Sequence, residues 1–156
     1  SDVCDDHDDD GGPLPQVLTE RFVSFGGYDG FAGFVSTVKA FEDNSIVKDA
    51  ITEPGKGRVL VIDGGGSMRR SMVGGNVAAE AADNGWAGFV VYGAVRDSHE
   101  LAATDIGVFA LGAVPRRTEK HGAGTCDVPV TFGGATISPG DRVYCDRDGV
   151  IVLPPA

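Results

Sequence analysis

Two short apolar runs on either side of an alanine-rich stretch restrict this chain more than any other feature. RVLVI (58–62) reads as a short buried strand that ends at Asp63 and the glycines 64–66. NVAAEAADN (76–84) sets Val77, Ala78, Ala81 and Ala82 on one helical stripe and stops at Gly85, a residue suited to a helix C-terminus. GFVVY (88–92) is apolar again and reads as a second strand. A strand, a helix and a strand in so short a span predict a parallel pair with the helix as its crossover.

The neighbouring segments extend this pattern. FAGFVSTVKAF (31–41) carries β-branched and aromatic residues at strand spacing, and EDNSIVKDAIT (42–52) opens with acidic and capping residues before Ile46, Val47, Ala50 and Ile51 recur at helical spacing. Residues 67–73 are a further candidate strand. After Val108–Leu111 come VPVTF, ATI, DRVYC and GVIVL, divided by GG, PGD and DRDG turns, which read as short strands. With 156 residues, 42% of them hydrophobic, the chain is expected to form one domain, residues 1–156, with an α/β fold and a β-rich C-terminal part in a layered sandwich.

In such a fold Arg96 and Asp97 fall just beyond the carboxyl end of the second strand, where open α/β sheets bind ligands. Asp97 is a hard oxygen donor suited to Mg²⁺ or Mn²⁺, and the planar fork of Arg96 matches a carboxylate. Gly74 and Gly75 precede the alanine-rich helix, whose free N–H groups and positive dipole end can hold an anion. Taken alone, an ion pair in a solvated turn is an equally ordinary reading of Arg96 and Asp97, and a glycine pair before a helix is more often a plain turn.

Composition narrows the partners. The formal net charge of −10 argues against direct nucleic-acid binding, which needs Lys and Arg to displace counterions. Cys4, Cys126 and Cys145 form no CxxC pair, so they suggest neither a disulfide framework nor a zinc site, and read as reduced, small apolar residues. No apolar run reaches the roughly 18–20 residues of a membrane span, and a soluble, cytoplasmic protein is expected. His7 amid Asp5, Asp6, Asp8, Asp9 and Asp10 reads as a solvated acidic segment, with at most a short helix starting at Ser1–Cys4. His99 reads as an exposed residue at a helix start and Trp86 as packing. His121, with Arg116, Arg117 and Lys120, marks a basic cluster that is either a solvated loop or the rim of an anionic pocket. DRDG (146–149) is expected to be a hairpin turn.

The phrases VLVIDGGGSMRRSMVGGNVAAEAADNGWAGFVVYGAVRDSHEL, TDIGVFALGAVPRR and PVTFGGATISPGDRVYCDRDGVIVLP together resemble the family of the regulator of ribonuclease activity A, the RraA-like proteins. Their relatives include class II 4-hydroxy-4-methyl-2-oxoglutarate/4-carboxy-4-hydroxy-2-oxoadipate aldolases. The resemblance spans about residues 29–154, with SDVCD and FAGFVSTVKAFEDN fitting its start, while residues 8–20 look like a local insertion. It implies an α/β/β/α sandwich of the swivelling phosphohistidine-domain type, assembled as a homotrimer with clefts between subunits. It also implies that Arg96 grips the carboxylate of a 2-oxoacid such as pyruvate, that Asp97 organises a divalent metal, and that backbone amides of Gly74, Gly75, Asn76 and Val77 complete the pocket. In the aldolase relatives the metal stabilises a pyruvate enolate as a Lewis acid.

One departure divides the possible functions. The aldolases resembled here carry an acidic residue 21 positions before the arginine, where it helps activate a water, whereas this chain has Gly75 there and Glu100 three positions after Asp97. That pattern resembles the regulator subgroup, and a glycine side chain cannot move a proton. The reading favoured by sequence is therefore a regulator that binds and inhibits a ribonuclease E-like endoribonuclease, or acts on an RNA helicase, while keeping a metal- and carboxylate-binding cleft. The alternative is a metal-dependent aldolase with oxaloacetate decarboxylase activity. A methyltransferase is not supported, since no glycine motif is followed by a ribose-binding acid at the usual distance.

Overall fold

The computed structural model describes residues 1–9 and 14–155, and for residues 7–9 the backbone only. Helix α1 (Asp2–Asp9) is followed by two-residue strands β1 (Gln16–Val17) and β2 (Val23–Ser24), then β3 (Phe31–Lys39), helix α2 (Ser45–Ile51), β4 (Val59–Asp63), β5 (Ser71–Val73), helix α3 (Gly75–Asp83) and β6 (Gly88–Val95). Helix α4 (Ser98–Ala102), β7 (Gly107–Ala113), β8 (Thr125–Cys126), β9 (Val130–Phe132), β10 (Ala135–Ile137), β11 (Arg142–Asp146) and β12 (Gly149–Leu153) complete the order.

The expected crossover is present: β4 and β6 pair in parallel, from Val59 opposite Gly88 to Asp63 opposite Tyr92, with α3 between them in sequence. β3 pairs in parallel with β4, and β7 with β6, so four parallel strands lie in the order β3-β4-β6-β7. Such strands are covered on both faces, which is why their sequences are nearly continuous apolar runs. Period-two alternation divides the side chains between two cores. Leu60, Ile62, Phe89, Val91 and Val108 pack under the helices with Val47, Ile51, Ala78 and Ala81, whereas Val59, Val61, Val90 and Phe109 face a second layer of strands with Phe132, Ile137, Val143 and Val152.

β3 belongs to both layers. Its first half pairs antiparallel with β11, with Phe34 opposite Arg142, and its second half turns to β4, with Val35 opposite Val59. β11 and β12 form the hairpin expected around DRDG, from Arg142 opposite Leu153 to Asp146 opposite Gly149. α1 lies across the outer face of this hairpin: the amino terminus is 3.5 Å from Asp146, and Val3 and Cys4 face Tyr144 and Ile151 across a cavity of about 490 Å³. The layers are α/β/β/α.

Three expectations are corrected. The acidic start does more than begin a helix at Ser1–Cys4, because α1 runs to Asp9; the side chains of His7, Asp8 and Asp9, and Asp10 with the two following glycines, lie outside the described residues. Residues 16–20, read as part of an insertion, are built into the fold: Gln16 and Val17 pair with Val152 and Ile151, and Leu18 is buried in the second core. Among the cysteines only Cys145 is buried, while Cys126 is exposed. Among the described residues, no helix is long and apolar enough to cross a membrane.

Candidate functional site

The site forms where β5 and β6 end side by side. β5 pairs in parallel with the end of β6, and the Arg96 N–H continues the ladder by donating to the Val73 carbonyl at 3.0 Å. The chain then leaves β5 through Gly74, in extended conformation, into α3, while β6 leaves through Arg96 and Asp97 into α4. Asp97 adopts a left-handed backbone (φ 60°, ψ 46°), a conformation that Asp and Asn tolerate better than most residues. This turn reverses the chain sharply, and the Asp97 carbonyl accepts the Leu101 N–H at 2.9 Å to start α4.

The Asp97 carboxylate is aimed back across the strand ends. Its Oδ2 accepts the backbone N–H of Gly75 at 2.9 Å, one of the free donors at the start of α3, and lies 3.9 Å from Arg96 Nε. Both side chains remain more than one third exposed, so the pair is open to a ligand. The side chains of Asp97 and Glu100 approach the two glycines closely and would have to move to admit a larger residue. A Cβ at residue 74 would stand 2.9 Å from Asp97 Oδ2, and one at residue 75 would overlap the Glu100 carboxylate. Gly75 itself is helical, so its backbone imposes no positive φ.

Of the residues singled out from sequence, Gly74, Asn76, Val77, Arg96 and Asp97 line one cleft of about 70 Å³. Gly75 is buried behind it and meets it through its N–H bond to Asp97. The cleft has further walls that sequence reasoning did not assign: Asn44 and Lys48 from α2 and its cap, Ser71 from β5, and Thr118 from the loop after β7. Arg117 and Lys120 also line it, so half of the basic cluster rims the cleft. His121 is exposed and bonds Glu119 at 2.8 Å, and His99 is exposed on α4. Trp86 is buried beneath Arg58, 4.6 Å from its guanidinium carbon.

Lys48, Arg96, Arg117 and Lys120 therefore converge in a protein of net charge −10. The Lys48 ammonium is held below the usual lysine range by its contact with Lys120, by burial and by the nearby Arg96 charge, against an opposing pull from Glu80. A cleft this cationic and this small suits a short carboxylic acid.

Among the described residues no three His, Cys, Asp or Glu side chains gather into a metal cage. The donor set nevertheless fits Mg²⁺, which keeps several waters and takes one or two carboxylates. Asp97 offers Oδ1 while Oδ2 is fixed by Gly75, and Glu100 lies beside the same glycine.

Comparison with known proteins agrees with this architecture. The family model described as RraA-like, Aldolase/RraA, matches residues 1–152. A protein of Azotobacter vinelandii, provisionally named 4-hydroxy-4-methyl-2-oxoglutarate aldolase, is 51% identical over 153 residues, covering 98% of this chain and 92% of the relative. The RNA-processing inhibitor RraA from Thermus thermophilis superposes with a TM-score of 0.92 at 45% identity, covering 97% of this chain and 92% of that one. A Geobacillus kaustophilus structure described as an S-adenosylmethionine:2-dimethylmenaquinone methyltransferase has a TM-score of 0.94 at 41% identity, covering 99% and 94%. The chain belongs to the RraA-like family.

Proposed function

We propose that the chain is a divalent-metal-dependent lyase that cleaves a carbon–carbon bond next to a 2-oxoacid unit, as in 4-hydroxy-4-methyl-2-oxoglutarate or oxaloacetate. The observation that carries this reading is the Glu100 carboxylate against Gly75. The sequence pattern leaves no carboxylate at residue 75; the Glu100 side chain, at the edge of the cleft rather than among its lining residues, packs against that glycine and supports the reading that it serves in place of the missing acid.

The chemistry assigned to this chain's residues is as follows. Arg96 binds the carboxylate of the 2-oxoacid end through its guanidinium fork, and the N–H groups at the start of α3 orient it. Asp97, with Glu100 nearby, would hold Mg²⁺ or Mn²⁺. A bound ion there supplies a Lewis acid that polarises the ketone oxygen. Glu100 takes the proton of the substrate hydroxyl, directly or through one water, as the carbon–carbon bond breaks and its electron pair passes to the pyruvate unit; the positive walls of the cleft offset that charge until the proton is returned to the methylene carbon, giving two pyruvates. Oxaloacetate needs no such proton removal, since its leaving group is already a carboxylate, so decarboxylation depends less on Glu100. The cleft of about 70 Å³ suits an acid of pyruvate size and is far below the roughly 300–1,000 Å³ of drug-sized ligand sites, which disfavours S-adenosylmethionine. Assay of the purified protein with Mg²⁺ against both substrates tests the reading, and no turnover above the metal alone would reject it.

The second reading is the regulator: a protein that binds a ribonuclease E-like endoribonuclease or an RNA helicase and lowers RNA processing. The likeness to the Thermus RNA-processing inhibitor, at 45% identity, favours it. Pull-down of a ribonuclease E homologue, with inhibition of its cleavage, tests this function independently of lyase activity. For either function we propose a homotrimer, since Phe41 and Met68 stand 59% and 40% exposed and suit cover by another copy. Light scattering should give three times the 16.1 kDa chain mass, and a monomer at micromolar concentration would contradict it.

A further inference from the structure

Two lysines side by side need an external cause. The ammonium groups of Lys48 and Lys120 repel, yet both residues line the same small cleft. Lys120 is exposed and belongs to a loop, and the path of that loop decides how near to Lys48 it can stand. That backbone is tied down on both sides. Thr118 Oγ1 donates to Asn44 Oδ1 at 2.8 Å and accepts the Asn44 N–H at 3.3 Å. Beyond Lys120, the N–H groups of His121 and Ala123 donate to Asp43 Oδ2 at 2.7 and 3.1 Å.

Asp43 is only 2% exposed and saturated with donors. Besides the two loop amides it accepts the Ser45 N–H at 2.9 Å and the Ser45 hydroxyl at 2.6 Å, both on Oδ1. Ser45 Oγ in turn accepts the Gly122 N–H at 3.2 Å. One buried carboxylate thus joins the start of α2, which carries Lys48, to the loop that carries Lys120.

We propose that Asp43 is a positioning residue for the cleft: it holds loop 118–123 so that Lys120 stands beside Lys48 and completes the cationic wall that receives an anionic substrate. The proposal rests on the lyase reading for the identity of that substrate, but the positioning itself is measurable without turnover. Asp43 touches neither the cleft nor a reacting atom, so its loss acts through Lys120 and raises KM with little change in kcat.

The test is a double-mutant cycle of Asp43→Asn and Lys120→Ala with two readouts. The first is the affinity for oxalate, a stand-in for the 2-oxoacid end, measured by calorimetry with Mg²⁺ present. The second is an NMR titration of the lysine ammonium groups, in which Lys48 faces Lys120, Arg96 and Glu80. Asp43→Asn should weaken oxalate and raise the KM for oxaloacetate by about tenfold, the size of one lost charge-assisted contact. It should add nothing in the Lys120→Ala background. Lys48 should titrate closer to an ordinary lysine in each single variant. If Asp43→Asn does not fold, Ser45→Ala removes the Gly122 tether and one of the donors to Asp43 while leaving the bonds from His121 and Ala123 in place, and should shift both readouts in the same direction by a smaller amount. An unchanged Lys48 titration in the folded variant, or an equal loss of oxalate affinity with and without Lys120, would overturn the proposal. A wild-type protein with no turnover but the expected Lys48 shifts would reject the lyase reading and leave the positioning standing.

Discussion

Glu100 sets its carboxylate against the backbone of Gly75, so closely that a Cβ at residue 75 would overlap Glu100 Oε2. The two residues lie 25 positions apart and are brought together because Asp97 turns the chain back through a left-handed conformation into α4. The glycine that removes a carboxylate from one position thus makes room for a carboxylate from another.

This relationship makes a paired substitution informative. Gly75→Asp alone should be impaired, because the new side chain and Glu100 compete for one space. Gly75→Asp combined with Glu100→Ala should recover a large part of the lyase activity that Glu100→Ala loses, since Gly75 is already helical and an acidic residue suits the first turn of α3. Turnover of 4-hydroxy-4-methyl-2-oxoglutarate in the four proteins, with melting temperatures beside it, decides the matter; a double variant no better than Glu100→Ala contradicts the shared position.

Removing the Asp97 side chain should abolish divalent-metal binding by calorimetry. The backbone distinguishes two ways of doing so. Asp97→Gly relieves the left-handed conformation at φ 60°, whereas Asp97→Ala must bear it. The alanine variant should therefore be about 1–2 kcal/mol less stable than the glycine variant in urea unfolding, although both lose the metal.

Arg96→Ala should weaken oxalate binding by about 1.5–3 kcal/mol, the range for a hydrogen bond to a charged group. Arg96→Lys should recover only part of it, because a point charge does not reproduce the fork. Equal affinity in Arg96→Ala and the wild type would remove Arg96 from the site.

Asp43 predicts a pH dependence of stability. Burial pushes its carboxyl up, but the bonds from the Ser45 hydroxyl and the N–H groups of Ser45, His121 and Ala123 outweigh burial and hold it well below the usual carboxylate range. The folded state therefore binds this proton less readily than the unfolded one, and the stabilisation is present above the ordinary Asp value of about 3.9 and is lost as pH falls. Asp43→Asn should be less stable than the wild type at pH 7, with the difference shrinking below about pH 4. A constant difference across that range contradicts the assignment.

How much of this was legible in the sequence depended on whether the signal was local. Continuous apolar runs and an alanine stripe mark the β4–α3–β6 unit, and the end of β6 locates Arg96 and Asp97. β1 escaped because two residues carry no periodicity and their pairing with Val152 and Ile151 is distant in sequence. Sequence does not decide between a solvated loop and a pocket rim for Arg117 and Lys120, because their loop is held by Asp43 and Asn44, more than 70 positions away. Asp43 was visible only as a capping residue. The spacing of Glu100 points toward the regulator pattern, since spacing alone does not reveal that α4 folds back onto Gly75.

The most direct measurement of the central claim is steady-state turnover of 4-hydroxy-4-methyl-2-oxoglutarate with Mg²⁺ by the wild type and by Glu100→Ala. Glu100 is exposed, so the variant should keep its fold and melting temperature. The wild type should turn over at about 1 per second or faster, and Glu100→Ala should be slower by about 10²- to 10⁴-fold, the usual contribution of a general acid or base. Equal rates in the two proteins, or no wild-type rate above that of Mg²⁺ alone, would contradict the account.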